Sequence, residues 1–256
     1  MHYDVHGAGD NTIIFIHGFG GFGGLWRWQV DHFKSRVRVI TVDLPGHGRT
    51  PWRGEGLDAM ADQAREILEG LSVRQAHVVA SSFGGLVALK FWERSPGRMK
   101  SLCLVGSLPR FTRAEDFPAG LDVKGIRRLK SQFDGDVGKV LDMFVRSFST
   151  ADERLSAQYA RVKELRKIAP LPDREALKAF LDILETADLR PILRRVDIPL
   201  HVVSGDGDYI CPPVAINALC REVPQAKADI LMGAGHGLFL TRPDDFNRVL
   251  AEFTGL

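Results

Sequence analysis

The sequence predicts an α/β protein built on a mostly parallel sheet that is covered by helices on both faces. Short, almost continuously apolar runs alternate with helical stripes in the first part of the chain, and this alternation returns near the end. Strands that are apolar along their whole length are typical of sheets buried on both faces. A long stretch without a convincing strand separates the two parts, which predicts a helical insertion.

Six β-branched, apolar runs are the predicted strands. They are residues 12–16, 37–42, 77–80, 102–105, 200–204 and 228–232. Apolar residues recur at helical spacing over 57–71, and further helices are predicted over 86–92 and 244–253.

The insertion is predicted to be a helical cap over residues 109–187, between core segments at 1–108 and 188–256. Its helices are predicted over 137–148, 155–168 and 174–184, with Pro170 and Pro172 between the last two. The first carries an apolar stripe that ends in Phe144 and Phe148. Such a stripe either lines a pocket or packs the cap onto the core.

Composition excludes several classes of protein. A length of 256 residues suits one α/β domain with an insertion, and a net charge of +2 is too small to indicate nucleic-acid binding. The three cysteines form no CxxC or Cys/His cluster, so reduced thiols and no metal site are expected. The sequence shows neither a signal peptide nor an apolar run of membrane-spanning length, and we therefore expect a cytoplasmic monomer without membrane contact.

One serine stands between a predicted strand and a predicted helix. Ser82 is flanked two residues away by Ala80 and Gly84, which is the pattern small-x-Ser-x-small on a strand–turn–helix unit. A nucleophilic serine there needs a strained backbone that projects its Oγ above the sheet, so the flanking side chains must be small. The following helix N-terminus offers N–H groups to developing negative charge. Ser82 is therefore the predicted nucleophile, although Ala80 replaces the usual glycine.

The adjacent Ser81 is the competing nucleophile. Its flanking residues would be Val79 and Phe83, which are too bulky for the same turn, so Ser82 is preferred. The non-catalytic alternative is a serine that only caps the following helix.

A nucleophilic serine requires a general base, and the base requires an orienting carboxylate. His236 lies in a glycine-rich loop after the last predicted strand, and it is the only histidine that follows the acids. Asp206 and Asp208 both follow the strand at 200–204, where α/β sheets place functional loops. Asp208 is preferred because it lies three residues after the strand-ending glycine. Asp206 remains the alternative, and the unused acid is expected to stabilise the turn.

The loop after the first predicted strand contains glycines at positions 18, 20 and 21 that would let backbone N–H groups approach a substrate. The N–H groups of Phe19 and Phe83 are the expected oxyanion-hole donors. A dinucleotide-binding turn is a poor alternative, because the glycines are too dense for a regular GxGxxG.

These motifs together resemble the α/β-hydrolase superfamily over the whole chain. Residues 43–50 resemble its loop after the second strand, 205–212 its acid loop and 235–246 its histidine loop. The resemblance implies an α/β-hydrolase fold with a helical cap, and a catalytic triad of Ser82, Asp208 and His236 in that chain order.

A narrower similarity is to the pimeloyl-ACP methyl ester carboxylesterase family of biotin synthesis. Residues 17–20 with Trp26 and Arg27 resemble that family's His-Gly-Trp-Gly loop and its following Trp-Arg, and residues 181–190 resemble its return from cap to core. Phe144 and Phe148 fall where the family lines its acyl pocket, so both are predicted to bind substrate. The chain departs from the family at Phe19, which replaces a tryptophan, at Ala80, and at Phe83, which replaces a smaller aliphatic residue.

The resemblance implies a reaction and a partner. Ser82 would attack the methyl ester at the far end of a pimeloyl chain carried by acyl carrier protein, methanol would leave, and water activated by His236 would release the carboxylate. The thioester is spared, and no cofactor or metal takes part.

The cap carries a surplus of positive charge. Residues 124–167 have a net charge of +5, against +2 for the whole chain. Acyl carrier proteins are acidic, so Lys139, Arg146, Arg154 and Arg161 are predicted to contact the carrier. The alternative is a solvated helical face.

Two other classes of function remain. One is a different hydrolase of the same fold: a general short-chain carboxylesterase, a lactonase or a carbon–carbon bond hydrolase. The other is a non-catalytic binding protein that kept the fold.

Overall fold

The computed structural model describes all 256 residues. Seven strands form a single sheet. They are β1 (His2–His6), β2 (Thr12–Ile16), β3 (Arg38–Asp43), β4 (Ala76–Ser81), β5 (Met99–Val105), β6 (Leu200–Gly205) and β7 (Lys227–Leu231).

Twelve α-helices accompany the sheet, and most of them lie between strands. They are α1 (Arg27–Phe33), α2 (Leu57–Gly70), α3 (Phe83–Arg94), α4 (Val123–Gln132), α5 (Val137–Ser147), α6 (Ala151–Leu155), α7 (Ala157–Lys167), α8 (Arg174–Thr186), α9 (Arg190–Leu193), α10 (Pro213–Glu222), α11 (Leu238–Thr241) and α12 (Pro243–Thr254). None of these helices combines the length and the apolar character that a membrane span requires.

The sheet confirms the predicted fold class. The strand order is β1-β3-β2-β4-β5-β6-β7, and every pairing is parallel except that of β1 with β3. Alternate residues of β2 belong to different clusters of buried side chains: Ile14 and Ile16 face one cluster, and Ile13 and Phe15 face the other. Both faces are therefore covered, which is why β2 is apolar along its whole length.

The antiparallel strand β1 was missing from the sequence prediction. It lies at the edge of the sheet, and its five residues are half-buried or exposed. Because only one edge of such a strand is paired and neither face is fully buried, it needs no apolar run.

Residues 109–187, here named the cap, contain helices α4–α8 and no strand of the main sheet. Only two isolated bridges occur there, one between Thr112 and Leu121 and one between Ala114 and Phe117. The helix predicted at 155–168 is confirmed as α7, which begins two residues later and is preceded by the separate short helix α6. Helix α6 ends at Leu155, and the Ser156 hydroxyl accepts the Tyr159 N–H to cap α7.

Six helices were not predicted: α1, α4, α6, α9, α10 and α11. Each is short, and α4 buries only Ile126. A stripe of that length is too weak a periodic signal to separate a helix from a loop.

Candidate active site

Ser82 occupies the turn that joins β4 to α3. Its backbone has φ 50° and ψ −120°, and Ser72 is the only other non-glycine residue with a positive φ. Such a conformation costs free energy and persists only where surrounding contacts hold it. Here the Ser82 N–H donates to the Val105 carbonyl, and the Ser82 carbonyl accepts from Ser107 Oγ at 2.7 Å. Of the two adjacent serines, Ser82 has the strained backbone that the sequence pattern predicts.

The residues that flank Ser82 are packed too closely for larger side chains. A Cβ at Gly84 would lie 2.6 Å from the His17 carbonyl oxygen and 2.8 Å from that of Ile16, closer than real contacts allow. Ala80 is fully buried within β4 and lies opposite Ile16 of β2. The turn therefore excludes a side chain at 84 and accommodates a single methyl group at 80.

Asp208 and His236 are hydrogen-bonded to each other. His236 Nδ1 lies 2.8 Å from Asp208 Oδ2, and both side chains are almost fully buried. The other carboxylate oxygen of Asp208 accepts the N–H groups of Ile210 and Cys211 at 2.8 and 2.9 Å. These bonds hold the carboxylate in one orientation, which in turn orients the imidazole ring.

Asp206 lies outside this arrangement. Its carboxylate is exposed and accepts the Gly233 N–H at 2.6 Å. The structure therefore brings Asp208, and not Asp206, to His236. Asp206 instead ties the acid loop to the loop that precedes His236, a turn role of the kind expected for the unused acid.

The pKa of the Asp208 carboxyl lies below its ordinary value. Burial acts to raise this pKa, but His236 and the two backbone N–H donors favour the charged form and outweigh it. Asp208 is therefore a carboxylate at neutral pH, able to stabilise positive charge on the imidazole.

Ser82 and His236 line one cavity beneath the cap. No hydrogen bond joins Ser82 Oγ to the His236 ring in this structure. Catalytic hydrogen bonds are often long before substrate binds and shorten in the complex. The rest of the wall is mainly apolar and includes Leu25, Val145, Phe148, Val162, Phe239 and Leu240.

The glycine-rich loop after β2 forms one edge of this cavity. The backbone N–H of Phe19 has no hydrogen-bond acceptor within the protein. The Phe83 N–H lies in the first turn of α3, where helical N–H groups lack intrahelical acceptors. An added Cβ at Gly18 would lie 3.0 Å from Ser82 Cβ, which shows how closely the loop approaches the serine.

The side chains of Phe19 and Phe83 pack against aromatic residues of the cap. Phe83 stacks on Phe180 of α8 with ring centroids 4.0 Å apart, and Phe19 meets Phe144 of α5 edge-on at 5.1 Å. The cap therefore packs directly against the residues that carry both candidate donors.

Two buried histidines hold the glycine-rich loop. His17 Nε2 accepts the Leu44 N–H at 2.9 Å, and His47 Nε2 accepts the Gly20 N–H at 3.2 Å. An accepting nitrogen must be unprotonated, so both rings are neutral in the folded state. Burial lowers the pKa of His17 to about 4 and that of His47 to about 3.

We expect the free energy of unfolding to fall as the pH decreases from about 6.5 towards 4. In that range unfolded histidines bind protons, whereas folded His17 and His47 do not, so protonation favours the unfolded state. Each histidine should contribute up to about 1.4 kcal/mol per pH unit. Urea unfolding across this range measures the slope, and His47→Gln should reduce it. An unchanged slope in that variant would contradict this account.

Phe148 contacts His236, while Phe144 lies behind it. The Phe148 ring lines the cavity, with its centroid 5.0 Å from that of His236. Phe144 is absent from the cavity wall and packs on Phe19 and Phe148. Of the two phenylalanines predicted to bind substrate, only Phe148 can contact a substrate in the cavity without movement of the surrounding side chains.

The cap is also hydrogen-bonded to the histidine loop, through residues that the sequence analysis did not single out. The Phe148 carbonyl accepts the His236 N–H at 2.8 Å. The buried Glu153 carboxylate accepts N–H groups from Thr150 and Gly235 at 2.7 and 3.0 Å. In the sequence, only the capping-box spacing of Thr150 and Glu153 could have pointed to these residues. The hydrogen bond from Gly235 to Glu153 leaves no sequence pattern, because the two residues are 82 positions apart.

Comparison with known proteins agrees with this geometry. Residues 11–243 match the model of the family described as alpha/beta hydrolase fold. The chain belongs to the alpha/beta hydrolase family.

Two relatives illustrate where this alpha/beta hydrolase lies within the family. The chain is 31% identical over 254 residues to the pimeloyl-[acyl-carrier protein] methyl ester esterase of Yersinia pseudotuberculosis serotype IB (strain PB1/+), covering 99% of this chain and 96% of the relative. It is 30% identical to the protein of the same name from Nitrosomonas europaea, covering 96% of both chains. Among solved structures, bromoperoxidase from Bacillus anthracis superposes with a TM-score of 0.89 at 27% identity, covering 99% of this chain and 95% of that one.

The four basic residues predicted to contact a carrier lie on different faces of the alpha/beta hydrolase's cap. Arg146 lines a groove between α5 and α7, and Lys139 is exposed near the start of α5. Arg161 lies on another side of α7, beside Trp28, and the Arg154 guanidinium donates to the Ser149 carbonyl. The groove instead groups Arg146 with Lys163, Arg166 and Lys167.

One group of side chains in this hydrolase has the composition of a metal site. Potential ligand atoms of Asp208, Cys211 and His236 lie within 4.8 Å of one another. Asp208 and His236 are bonded to each other, and the Cys211 thiol donates to the Gly106 carbonyl at 3.1 Å. Burial raises the pKa of Cys211 well above its ordinary value, so it is a thiol and not the thiolate that binds metals. The group does not fit a metal ion.

Proposed function

We propose that this chain is a serine carboxylesterase that hydrolyses the methyl ester of pimeloyl-ACP to pimeloyl-ACP and methanol in biotin synthesis. The observation that carries the proposal is the similarity along almost the whole chain, cap included, to relatives named as that esterase. The coarser activity follows from the family and from these relatives: the chain is a carboxylic ester hydrolase.

In the proposed first step, Ser82 Oγ attacks the ester carbonyl and His236 takes the serine proton. The ionised Asp208 stabilises the imidazolium through the 2.8 Å bond to Nδ1. The N–H groups of Phe19 and Phe83 would stabilise the oxyanion, since neither donates a hydrogen bond to another backbone group. His236 then returns the proton to the leaving methoxide, and methanol departs from an acyl-enzyme.

In the second step, His236 removes a proton from water, which attacks the acyl-enzyme. The tetrahedral intermediate collapses, the proton returns to Ser82 Oγ, and the acid is released. The hydroxyl group of the water becomes part of the carboxylic acid, and its proton returns to Ser82 Oγ. The reaction therefore requires no cofactor.

The size of the cavity supports a substrate of which only one end is enclosed. The cavity at Ser82 has a volume of about 60 Å³, room for roughly four or five waters. It shares Val145 and Arg166 with the groove between α5 and α7, whose volume is about 510 Å³. An ester end beside Ser82 would leave the rest of a long acyl chain to continue past these residues towards the surface.

We expect Lys139 and Arg146 to assist docking of an acidic carrier. The double variant Lys139→Glu/Arg146→Glu should raise KM for carrier-bound ester roughly tenfold at low salt, with a smaller effect at high salt. Hydrolysis of p-nitrophenyl acetate should be unchanged. Arg74→Glu, an exposed substitution between α2 and β4, is the matched control. Equal kinetics of all three proteins on the carrier-bound ester would contradict the docking role.

A second candidate is a general short-chain carboxylesterase, which the small cavity at Ser82 favours. The two candidates differ in kcat/KM for methyl pimeloyl-ACP relative to short p-nitrophenyl esters. Complementation of a biotin auxotroph that lacks the methyl esterase provides the cellular test. Growth with wild type but not with Ser82→Ala supports the first candidate; no growth despite good expression favours the second.

A further inference from the structure

Arg166, on the last turn of α7, is part of the wall between the cavity at Ser82 and the groove of the cap. Its side chain lines both spaces. The residue is half-buried, and burial lowers the pKa of its guanidinium. A half-buried cation in a mainly apolar wall needs an explanation, because withdrawing a charge from water without a partner is costly.

The guanidinium of Arg166 is only partly used by the protein. Nη1 donates to the Gly20 carbonyl at 3.0 Å. Nε is buried and has no hydrogen-bond partner, and Nη2 makes no hydrogen bond. One complete edge of the guanidinium, formed by Nε and Nη2, is therefore unpaired.

No carboxylate neutralises this charge. Arg166 forms no ion pair, and Asp142 of α5 acts on it only at longer range. Arg190, the one arginine in the chain that is buried, shows the usual arrangement. Its guanidinium meets Asp188 at 2.6 Å and Asp116 at 2.9 Å. Arg166 therefore has unpaired hydrogen-bond donors and a positive charge without a carboxylate partner.

The free edge has the geometry that a carboxylate requires. The Nε and Nη2 donors of an arginine point in parallel and match the two oxygens of a carboxylate. Arg166 lines the cavity that contains Ser82 and His236, and Nη2 is its accessible unpaired donor, whereas Nε is shielded from water. A carboxylate that binds both donors therefore has to displace the atoms that cover Nε. We propose that Arg166 binds a carboxylate on the acyl chain, so that the enzyme also accepts free monoesters of dicarboxylic acids.

This substrate class goes beyond a carrier-bound ester, but it rests on the proposed ester hydrolysis at Ser82. The reaction is monoester plus water giving dicarboxylic acid plus methanol. The scissile ester lies at Ser82, and the second carboxylate of the same molecule lies at Arg166. The chain between them sets which dicarboxylic acid fits.

The competing explanation is that Arg166 only holds the glycine-rich loop through Gly20. In that case its replacement would lower kcat for every ester alike, because the loop carries a candidate oxyanion donor. A binding role predicts instead a change confined to charged substrates and expressed mainly in KM.

The kinetic test compares monomethyl with dimethyl esters of glutaric, adipic and pimelic acids. For the best-fitting acid we expect wild type to prefer the monomethyl ester by roughly 10- to 100-fold in kcat/KM, the range for hydrogen bonds to a charged group. Arg166→Met should abolish the preference through KM, and Arg166→Lys should restore part of it. Arg128→Met, an exposed cap substitution, is the matched control. No preference in wild type, or equal losses on both esters, would overturn the proposal.

A binding measurement separates this proposal from the proposed catalytic function. Calorimetry on Ser82→Ala should show tighter binding of the matching dicarboxylate than of the monocarboxylate of equal length. Adding Arg166→Met should remove the difference. If this difference appears although no ester is hydrolysed, the carboxylate site stands and the catalytic proposal fails. If catalysis is normal but the two acids bind equally, the carboxylate site is refuted alone.

Discussion

Replacement of Ser82 by alanine is expected to lower kcat for ester hydrolysis by roughly 10⁴- to 10⁶-fold. The substitution removes only Oγ, and the Cβ that the positive φ already accommodates remains. The oxyanion donors and the Asp208–His236 pair are left in place, so substrate binding and stability should change little. Steady-state hydrolysis of p-nitrophenyl acetate and of methyl pimeloyl-ACP measures the loss.

Ser81→Ala is the matched control, because Ser81 is adjacent but has ordinary strand geometry at the end of β4. It should retain most of the activity. A fluorophosphonate should label wild type and Ser81→Ala but not Ser82→Ala. Labelling that survives in Ser82→Ala, or is lost in Ser81→Ala, would show that the nucleophile has been misassigned. Absence of labelling in wild type would favour a non-catalytic protein.

Replacement of Asp208 by asparagine is expected to lower kcat roughly 10⁴-fold with little change in KM. The neutral amide cannot stabilise an imidazolium, and it can donate to His236 Nδ1 and so favour the wrong tautomer. The remaining carboxylate oxygen of Asp208 accepts two backbone N–H groups, and the amide oxygen of asparagine can keep those bonds. The fold should therefore survive the substitution.

Asp206→Asn is the matched control for the acid. Asp206 is exposed, and its one contact is with the Gly233 N–H, which an amide oxygen can also accept. We expect near wild-type kcat and at most a small loss of stability. If the two variants exchanged these behaviours, the acid would be Asp206 and the buried pair would have a structural role.

The sequence by itself was enough to predict most strands of the sheet and the turn that carries Ser82. Strands buried on both faces must be apolar throughout, so the buried strands β2, β3, β4 and β6 were predicted within two residues of their observed ends, and the exposed edge strand β1 was not. The other edge strand, β7, was predicted although none of its residues is buried. The Ser82 turn is equally readable, because the strain of such a turn restricts positions 80 and 84 to small residues. Both requirements act on residues that are close together in the chain, so both can be recognised as short sequence patterns.

The choice between Asp206 and Asp208 was only a preference at the level of sequence. Both acids lie in the same loop, and their spacing from the strand does not say which carboxylate turns inward. The Ile210 and Cys211 N–H groups and the burial of His236 decide it, and these depend on the folded loop.

Only the tertiary structure decided where the polar side chains of the cap lie. Its positive charge was evident from composition, but the faces on which the charges lie depend on how α6 and α7 pack. Arg166 looks in sequence like one more solvated cation, yet packing buries its Nε beside the cavity and supplies no carboxylate. A periodic pattern records which residues must be apolar or small to form an element. It does not record which polar groups long-range packing brings together, since their partners lie tens to hundreds of residues away.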